Sequence, residues 1–388
     1  MNFEIPHEHR MLHDLVARFV HDELIPLEPA LLQRDAAGLG QALSADESTH
    51  IDARSKELGL WGLDAPEESG GSDMPVSAMV GVHEAMGRTI VNYSLPPYAA
   101  NLRMLLIAAN AEQKRRYLEP YVRGETRAAI MISEPGAGAD PTGIATRAVR
   151  QGDEWVLNGR KIWVSFLDGA DFSIVMARTG GERGSRGGIS AFLVDRGTPG
   201  LNIERRVPML AGHHTHEVLF EDCRIPAGQL LGEEGKGFDP MQQRLGAKRV
   251  QMAAWSIGRA QRALDMLCEH APQRKTFGVP LADRQAIQWW IADAATRIHA
   301  CRLMTYETAW RIDHGHDART QTSMIKTYAT ELAWDVADKA MQAHGAMGMT
   351  KEMPLHQIAA DARVARIYEG PSEVHRWVVA RNTLAGSR

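Results

Sequence analysis

The periodicity of this chain changes twice, near Arg127 and again after Gly237, and that double change limits the folds open to it. Before Arg127, apolar residues recur at helical spacing. Met11, Leu12, Leu15, Val16 and Phe19 make one such stripe. Helices are predicted over 9–19, 46–58, 77–87, 98–109 and 111–122, with Pro26 and Pro29 ending the first. From 128 the texture becomes short strands: 128–132, 146–150, 154–157, 160–164, 172–178, 189–194 and 217–220. Asn158-Gly159 predicts a two-residue hairpin, because both central positions of a type I′ turn need positive φ. After Gly237 long helical patterns return over 248–271, 285–313 and 323–344, each with one apolar stripe, which predicts a bundle. The predicted fold is mainly α with a middle β-domain: an N-terminal helical domain (1–127), a small β-barrel or sandwich (128–240) and a C-terminal helical bundle (241–388).

At 388 residues the chain is too long for one small core. The net charge is only −4 and no Lys/Arg-rich run stands out, so nucleic acid is not an expected partner. No apolar segment is long enough to span a bilayer, and the opening residues carry Glu4 and no apolar run, so no secretory signal is expected. Cys223, Cys268 and Cys301 are far apart and match no metal spacing; they fit thiols in a reducing, cytoplasmic setting. No G-x-G-x-x-G stands at a strand-to-helix junction, so a Rossmann site is not supported, and the glycines of 232–237 lack the Gly-Lys-Ser/Thr ending of a phosphate loop. His214 and His216 share a strand face beside His213, but no accompanying carboxylate pattern makes them a metal site, and no metal is expected. Met341, Met347, Met349 and Met353 read as packing residues.

The stretch IYEGPSEVHR at 367–376 carries the chemistry. Glu369 follows an apolar run (Val364, Ala365, Ile367, Tyr368), and Gly370-Pro371 breaks the helix behind it. A carboxylate held on such a break against apolar neighbours is suited to act as a base. The same residues also describe a plain helix end, with Ser372 as N-cap and Glu373 in the next first turn.

Five segments in order resemble the acyl-CoA dehydrogenase family: ISEPGAGAD (132–140), WVLNGRKIWVS (155–165), RKTFG (274–278), QAHG (342–345) and the stretch at 367–376. The resemblance covers essentially the whole chain. It implies a C-terminal four-helix bundle, FAD between that bundle and the β-domain, a homodimer or homotetramer, and α,β-dehydrogenation of an acyl-CoA to a trans-2-enoyl-CoA. An electron-transfer flavoprotein is the implied acceptor. On this resemblance Glu369 is the base, Gly370 leaves room for the thioester, Tyr368 lines the acyl pocket, and Arg249 supports the substrate site. Ile132 and Ser133 match residues at the flavin's pyrimidine edge, Trp163 the aromatic beside the ring, and Ser165 a hydroxyl near N5. Arg274, Thr276 and Phe277 match a segment that reaches the partner's FAD. Gln285, Gln342, Ala343, His344 and Gly345 match further FAD contacts, as do Ser372 and Glu373 near the adenosine end. Read from residue type alone, Trp163 on a strand belongs to a core, and Arg249 to a salt bridge within the bundle.

The chain departs from the family pattern at three places. Ala139 replaces a serine whose hydroxyl meets the substrate, Ala346 replaces the second glycine after His344, and Pro371 replaces a threonine. These departures resemble longer-chain or atypical branches. The rival base position on the long helix is taken by Lys248, which is no carboxylate. A same-fold flavin oxidase or monooxygenase, and a non-catalytic subunit of a mixed tetramer, are the alternatives.

Overall fold

The computed structural model describes residues 4–97 and 99–386. Tyr98, the predicted start of one helix, lies outside the described residues, as do the first three residues. The N-terminal third is helical: α1 (His7–Phe19), α2 (Glu28–Ala36), α3 (Ala45–Glu57), α4 (Val76–Met86), α5 (Ala99–Ala108), α6 (Ala111–Gln113) and α7 (Glu119–Val122). Pro26 and Pro29 do not end the first helical path as expected. A π turn (Val20–Leu24) and a 3₁₀ turn (Ile25–Leu27) carry it on, and Pro29 sits in the first turn of α2, where no N–H is needed. Ser44 and Glu47 form a reciprocal capping box that starts α3.

The middle segment forms one mostly antiparallel sheet. Its strands are β1 (Ala128–Met131), β2 (Arg147–Gln151), β3 (Glu154–Val164), β4 (Phe172–Arg178), β5 (Ile189–Asp195), β6 (Leu201–Pro208), β7 (His214–Pro226) and β8 (Leu230–Leu231). The order is β6-β7-β3-β2-β4-β5-β8, with β1 parallel on β4. The Asn158-Gly159 hairpin prediction fails. β3 runs through both residues, and the β2–β3 hairpin turns at Gly152 instead. The register against β7 shifts between Leu157 and Gly159, so the glycine serves a bulge. Its φ is 148°, and a Cβ there would lie 2.5 Å from Thr146 Oγ1. Gly159→Ala is expected to cost about 3 kcal/mol, read as a lower midpoint in thermal or urea denaturation.

The C-terminal third holds α8 (Phe238–Gln273), a small hairpin of β9 (Lys275–Thr276) and β10 (Val279–Pro280), α9 (Gln285–Asp313), α10 (Arg319–His344), α11 (Leu355–Ala365) and α12 (Ser372–Gly386). The long helix α8 begins ten residues before its apolar stripe predicted. Alanines on α8 (Ala253, Ala254, Ala260, Ala263) face alanines on α10 (Ala329, Ala333, Ala337, Ala340) in one buried cluster, and their small side chains permit close approach. Ile257, Ile298, Ile325 and Leu332 fill the remaining space, each contributing about 1.5–3 kcal/mol by burial.

A buried ion pair and a glycine crossing are among the contacts that fix the N-terminal helices to α8. Glu28, buried, accepts from Thr89 Oγ1 at 2.8 Å and from Arg262 at 2.6 Å. At the α4–α8 crossing, a Cβ on Gly258 would stand 2.1 Å from the Glu84 carbonyl oxygen, and one on Gly87 2.3 Å from that of Trp255. Backbone meets backbone there.

Candidate active site

α11 ends at Ala365, and the chain then turns back to start α12. Within that turn Glu369 takes φ 57° and Gly370 φ 97°. A left-handed glutamate is uncommon and needs support from its surroundings. Three donors supply it. Arg249 Nε (3.0 Å) and His375 Nε2 (3.2 Å) donate to the Glu369 carbonyl, and Lys326 Nζ donates to the Gly370 carbonyl at 2.6 Å. Arg249 comes from α8, Lys326 from α10 and His375 from α12, so the bundle itself fixes the bend. The helix-end reading is thus also met, with one change. Pro371, not Ser372, accepts the first N–H groups of α12, and Glu373 lies in its first turn.

The side chain of Glu369 is 12% exposed. Apolar neighbours were expected around it, but a guanidinium occupies that place. Arg244 Nη1 donates to both carboxylate oxygens, at 2.9 and 2.8 Å, from a side chain 3% exposed. The other end of Arg244 reaches Asn101 on α5. Breaking such a buried pair costs about 3–5 kcal/mol. One turn further along α8, Lys248 is buried, donates to Gln251 at 2.9 Å and lies over the Trp255 ring. Burial pushes its ammonium down to about 7, against the opposing pull of Glu369. A narrow cavity between α4, α5 and α8 adjoins this group, with Asp64, His83, Gln251 and Trp255 in its walls.

His375 is buried, and its hydrogen bonds fix the neutral tautomer: Nε2–H donates to the Glu369 carbonyl, so Nδ1 accepts from Ser323 Oγ at 3.1 Å. Burial, then the Arg249 and Lys326 charges, pushes its pKa down from 6.5 to about 3. The unfolded chain therefore takes up a proton between those values that the folded chain refuses. This group's stabilisation is complete above pH 6.5 and is lost as pH falls toward 3, by at most about 1.4 kcal/mol per pH unit. Urea midpoints at pH 7 and pH 5 are expected to differ more in the parent than in His375→Gln.

The flavin residues implied by the resemblance fall in two places. Ile132 and Ser133 follow β1 and are pinned to β3: the Ser133 carbonyl accepts from Ile162 N–H at 3.0 Å, and Ile132's from Lys161 Nζ at 3.1 Å. Lys161, fully buried, also pairs with Glu134 at 2.7 Å, and Glu134 accepts from the N–H groups of Ala145 and Thr146. Trp163 does not join the core. It has φ 61° and is 50% exposed, and Phe166 has φ 62° and is 54% exposed, with Ser165 between them. Ala139 is exposed in the loop after Ser133.

Arg274, Thr276 and Phe277 lie on the β9–β10 hairpin beyond the far end of α8, with Gln285 opening α9. Gln342, Ala343, His344 and Gly345 end α10 beside them, and the His344 ring stacks on His270 at 4.0 Å. Arg249 and Arg274 are 25 positions apart, mostly along α8, a span of roughly 38 Å at 1.5 Å per residue. One chain does not bring this second group to Glu369. Phe277, with φ 51°, is 99% exposed at the hairpin tip.

The three histidines divide. Asp168 meets His214 Nε2 at 2.7 Å and His216 Nε2 at 2.9 Å, with all three ligand atoms within 4.8 Å of one another. The carboxylate missing from the local pattern thus arrives from the turn after β3. Arg206 lies 3.2 Å from the same carboxylate, which makes this an ion-pair cluster, and His213 stands outside it.

Half-exposed rings at the end of β3, next to the pinned carbonyls of 132 and 133, suit a planar heterocycle with a polar edge. The residues present therefore fit a flavin. Fold and site together define a flavin-dependent oxidoreductase of the helical, β, helical type. Three family models cover the chain: the acyl-CoA dehydrogenase N-terminal domain (6–125), middle domain (129–223) and C-terminal domain (235–384). The chain is 38% identical to the (R)-benzylsuccinyl-CoA dehydrogenase of Thauera aromatica, over 100% of this chain and 98% of that one. It is 35% identical to the acryloyl-CoA reductase (NADH) of Anaerotignum propionicum, over 99% and 96%. The butyryl-CoA dehydrogenase structure from Megasphaera elsdenii matches with a TM-score of 0.89 and 30% identity, over 99% and 100%. The chain belongs to the acyl-CoA dehydrogenase family, and its cofactor is FAD. No helix among the described residues is long and apolar enough to cross a membrane.

Proposed function

We propose that this protein converts an acyl-CoA thioester to its trans-2-enoyl-CoA, with Glu369 as the base. The observation that carries the reading is a carboxylate, 12% exposed, on a positive-φ bend whose backbone is clamped from three helices. A base so fixed meets the positional demand of proton abstraction, since the thioester α-proton is only weakly acidic. The carboxylate takes the Cα proton, and the electron pair left behind becomes the new C=C bond as the Cβ hydride departs. Bound FAD supplies the two-electron acceptor for that hydride. The Glu369 N–H faces the charge that develops on the thioester oxygen. Gly370 gives that thioester room, Tyr368 lines the acyl side, Ala139 lies toward the substrate, and Arg249 holds the base through its carbonyl.

Ile132, Ser133, Trp163 and Ser165 would hold the flavin ring, with Ser372 and Glu373 toward its adenosine end. Arg274, Thr276, Phe277, Gln285 and the segment 342–345 would serve the FAD of a second copy. Their separation from Glu369 along α8, and the exposed Phe277 ring, support a homodimer or a homotetramer built from dimers. An electron-transfer flavoprotein is the proposed acceptor.

The test is anaerobic. FAD-loaded protein is mixed with a panel of acyl-CoAs, and the yellow absorbance is followed with enoyl-CoA formation. Bleaching with stoichiometric product is expected. Fast oxygen uptake with peroxide release would point to an oxidase, and protein that cannot be loaded with FAD to a non-catalytic subunit.

A further inference from the structure

Two buried histidines of this chain have partners of opposite kinds. His375 sits between a hydroxyl that can donate and a carbonyl that accepts, so its neutral ring satisfies both. His216, on β7, has a side chain 2% exposed and faces two acceptors. Its Nε2 lies 2.9 Å from Asp168 Oδ1, and its Nδ1 lies 3.3 Å from the Val164 carbonyl oxygen. A neutral imidazole carries one N–H and would turn a lone pair toward one of those oxygens. Only the imidazolium donates to both.

The charges around this ring come from several elements. Asp168 stands on the 3₁₀ turn after β3 (Leu167–Gly169). Arg206, paired with His216 across β6 and β7, reaches the other oxygen of Asp168 at 3.2 Å from a side chain 63% exposed. His214 meets that same oxygen, and its ring lies 5.1 Å from the ring of His216. Arg196, after β5, donates to the Asp168 backbone carbonyl at 3.0 Å. Glu217, next on β7, points to the other face of the sheet and is paired with Arg160 and Arg205. His213 feels Asp361 of α11.

The two oxygens that His216 holds bound one short segment. Val164 ends β3 between Trp163 and Ser165, and Asp168 follows Phe166 and Leu167. Trp163 and Phe166 have left-handed backbones, at φ 61° and 62°, which persist only where the surroundings support them. One ring thus grips the chain on both sides of Ser165 and Phe166. Resting on the reading of Trp163 and Ser165 as flavin residues, we propose that His216, as its imidazolium, is a positioning residue for FAD. Loss of its proton frees one end of the 164–168 segment, so the grip on FAD weakens as pH rises.

The test measures FAD binding to the apoprotein by flavin fluorescence, and the FAD midpoint potential of the loaded protein, from about pH 6 to about pH 9, across which histidines lose their charge. His216→Gln has no such proton to lose. It is expected to bind FAD about tenfold more weakly than the parent at the low end, the worth of one hydrogen bond to a charged group, and to match it at the high end. Asp168→Asn offers Nε2 a donor in place of an acceptor, so a neutral His216 then satisfies both partners. It is expected to match the parent at the low end and to bind about tenfold more tightly at the high end. Because it keeps both ring and turn, it guards against a folding defect in His216→Gln, and thermal midpoints of the apoproteins check both. A cation at the flavin site favours added electrons, so the parent potential is expected to lie above that of His216→Gln at the low end and to meet it at the high end. Lys161, which holds the Ile132 carbonyl and is pushed down to about 8, is common to all three proteins and cancels in these comparisons. Kd ratios that stay flat with pH, or equal potentials throughout, overturn the proposal. So does a pH-dependent ratio that vanishes on treatment with EDTA, which would give the cluster to a bound metal. A Trp163→Ala protein that binds FAD as the parent does instead overturns the flavin placement on which the proposal rests.

Discussion

Glu369→Gln is expected to retain FAD and to lose bleaching by acyl-CoA by a factor of about 10⁴, the upper end for a positioned base. The amide keeps an oxygen for Arg244 and nearly the same volume, so the bend and its clamps are expected to stay. It removes the one property at issue, a carboxylate able to take the Cα proton. The visible spectrum and thermal midpoint should match the parent, and only the reductive half-reaction should fail. Bleaching at the parent rate would sink the assignment of the base. The sole residue of similar reach on the rival helix position is Lys248, whose ammonium stands near pH 7 and donates to Gln251.

The second large effect belongs to Glu134→Ala. It strips the carboxylate from Lys161, which is fully buried, and leaves the N–H groups of Ala145 and Thr146 without their acceptor. A loss of about 3–5 kcal/mol is expected, together with weaker FAD retention, because the Ile132 carbonyl is held by the same ammonium. The double variant Glu134→Leu/Lys161→Met is expected to recover part of the stability, since it removes both charges. Burial pushes Lys161 down from 10.5 to about 8, against the pull of Glu134. Between those values the unfolded chain binds the proton more than the folded chain does, so this group favours folding increasingly as pH rises through that window. The Glu134→Ala defect should accordingly shrink at pH 9. Equal urea midpoints for parent and Glu134→Ala would show the pair to be dispensable.

The helical, strand and helical thirds were legible because helix and strand periods differ and each third holds one of them. Asn158-Gly159 was misread because its signal, a demand for positive φ, is common to hairpin turns and to bulges that meet another backbone. Only the close approach of Thr146, far from obvious along the chain, separates the two. Pro26 and Pro29 misled for a related reason: proline both stops a helix and opens one. Trp163 looked like core because residue type says nothing of the left-handed backbone that swings its ring outward.

The site was half legible. Glu369, Tyr368 and Gly370 stand in one short stretch, whereas the Glu134–Lys161 pair joins residues 27 positions apart and leaves no local trace. Arg244 did leave one. Met241, Leu245, Lys248 and Met252 fall on one buried stripe of α8, with Arg244 at its edge. Two cations on such a stripe mark a buried anion partner, and the pattern was in the chain from the start.

The glycine crossing of α4 and α8 carries a consequence for engineering. With Gly87 and Gly258 in backbone contact, the two helices flanking the cavity share a close seam. A side chain at either position would have to push the two backbones apart. Trimming Met79 or Met86, which line the space on the α4 side, would enlarge that cavity without touching the seam. The volume of the cavity is set by side chains on a fixed backbone crossing, and it can be edited one residue at a time.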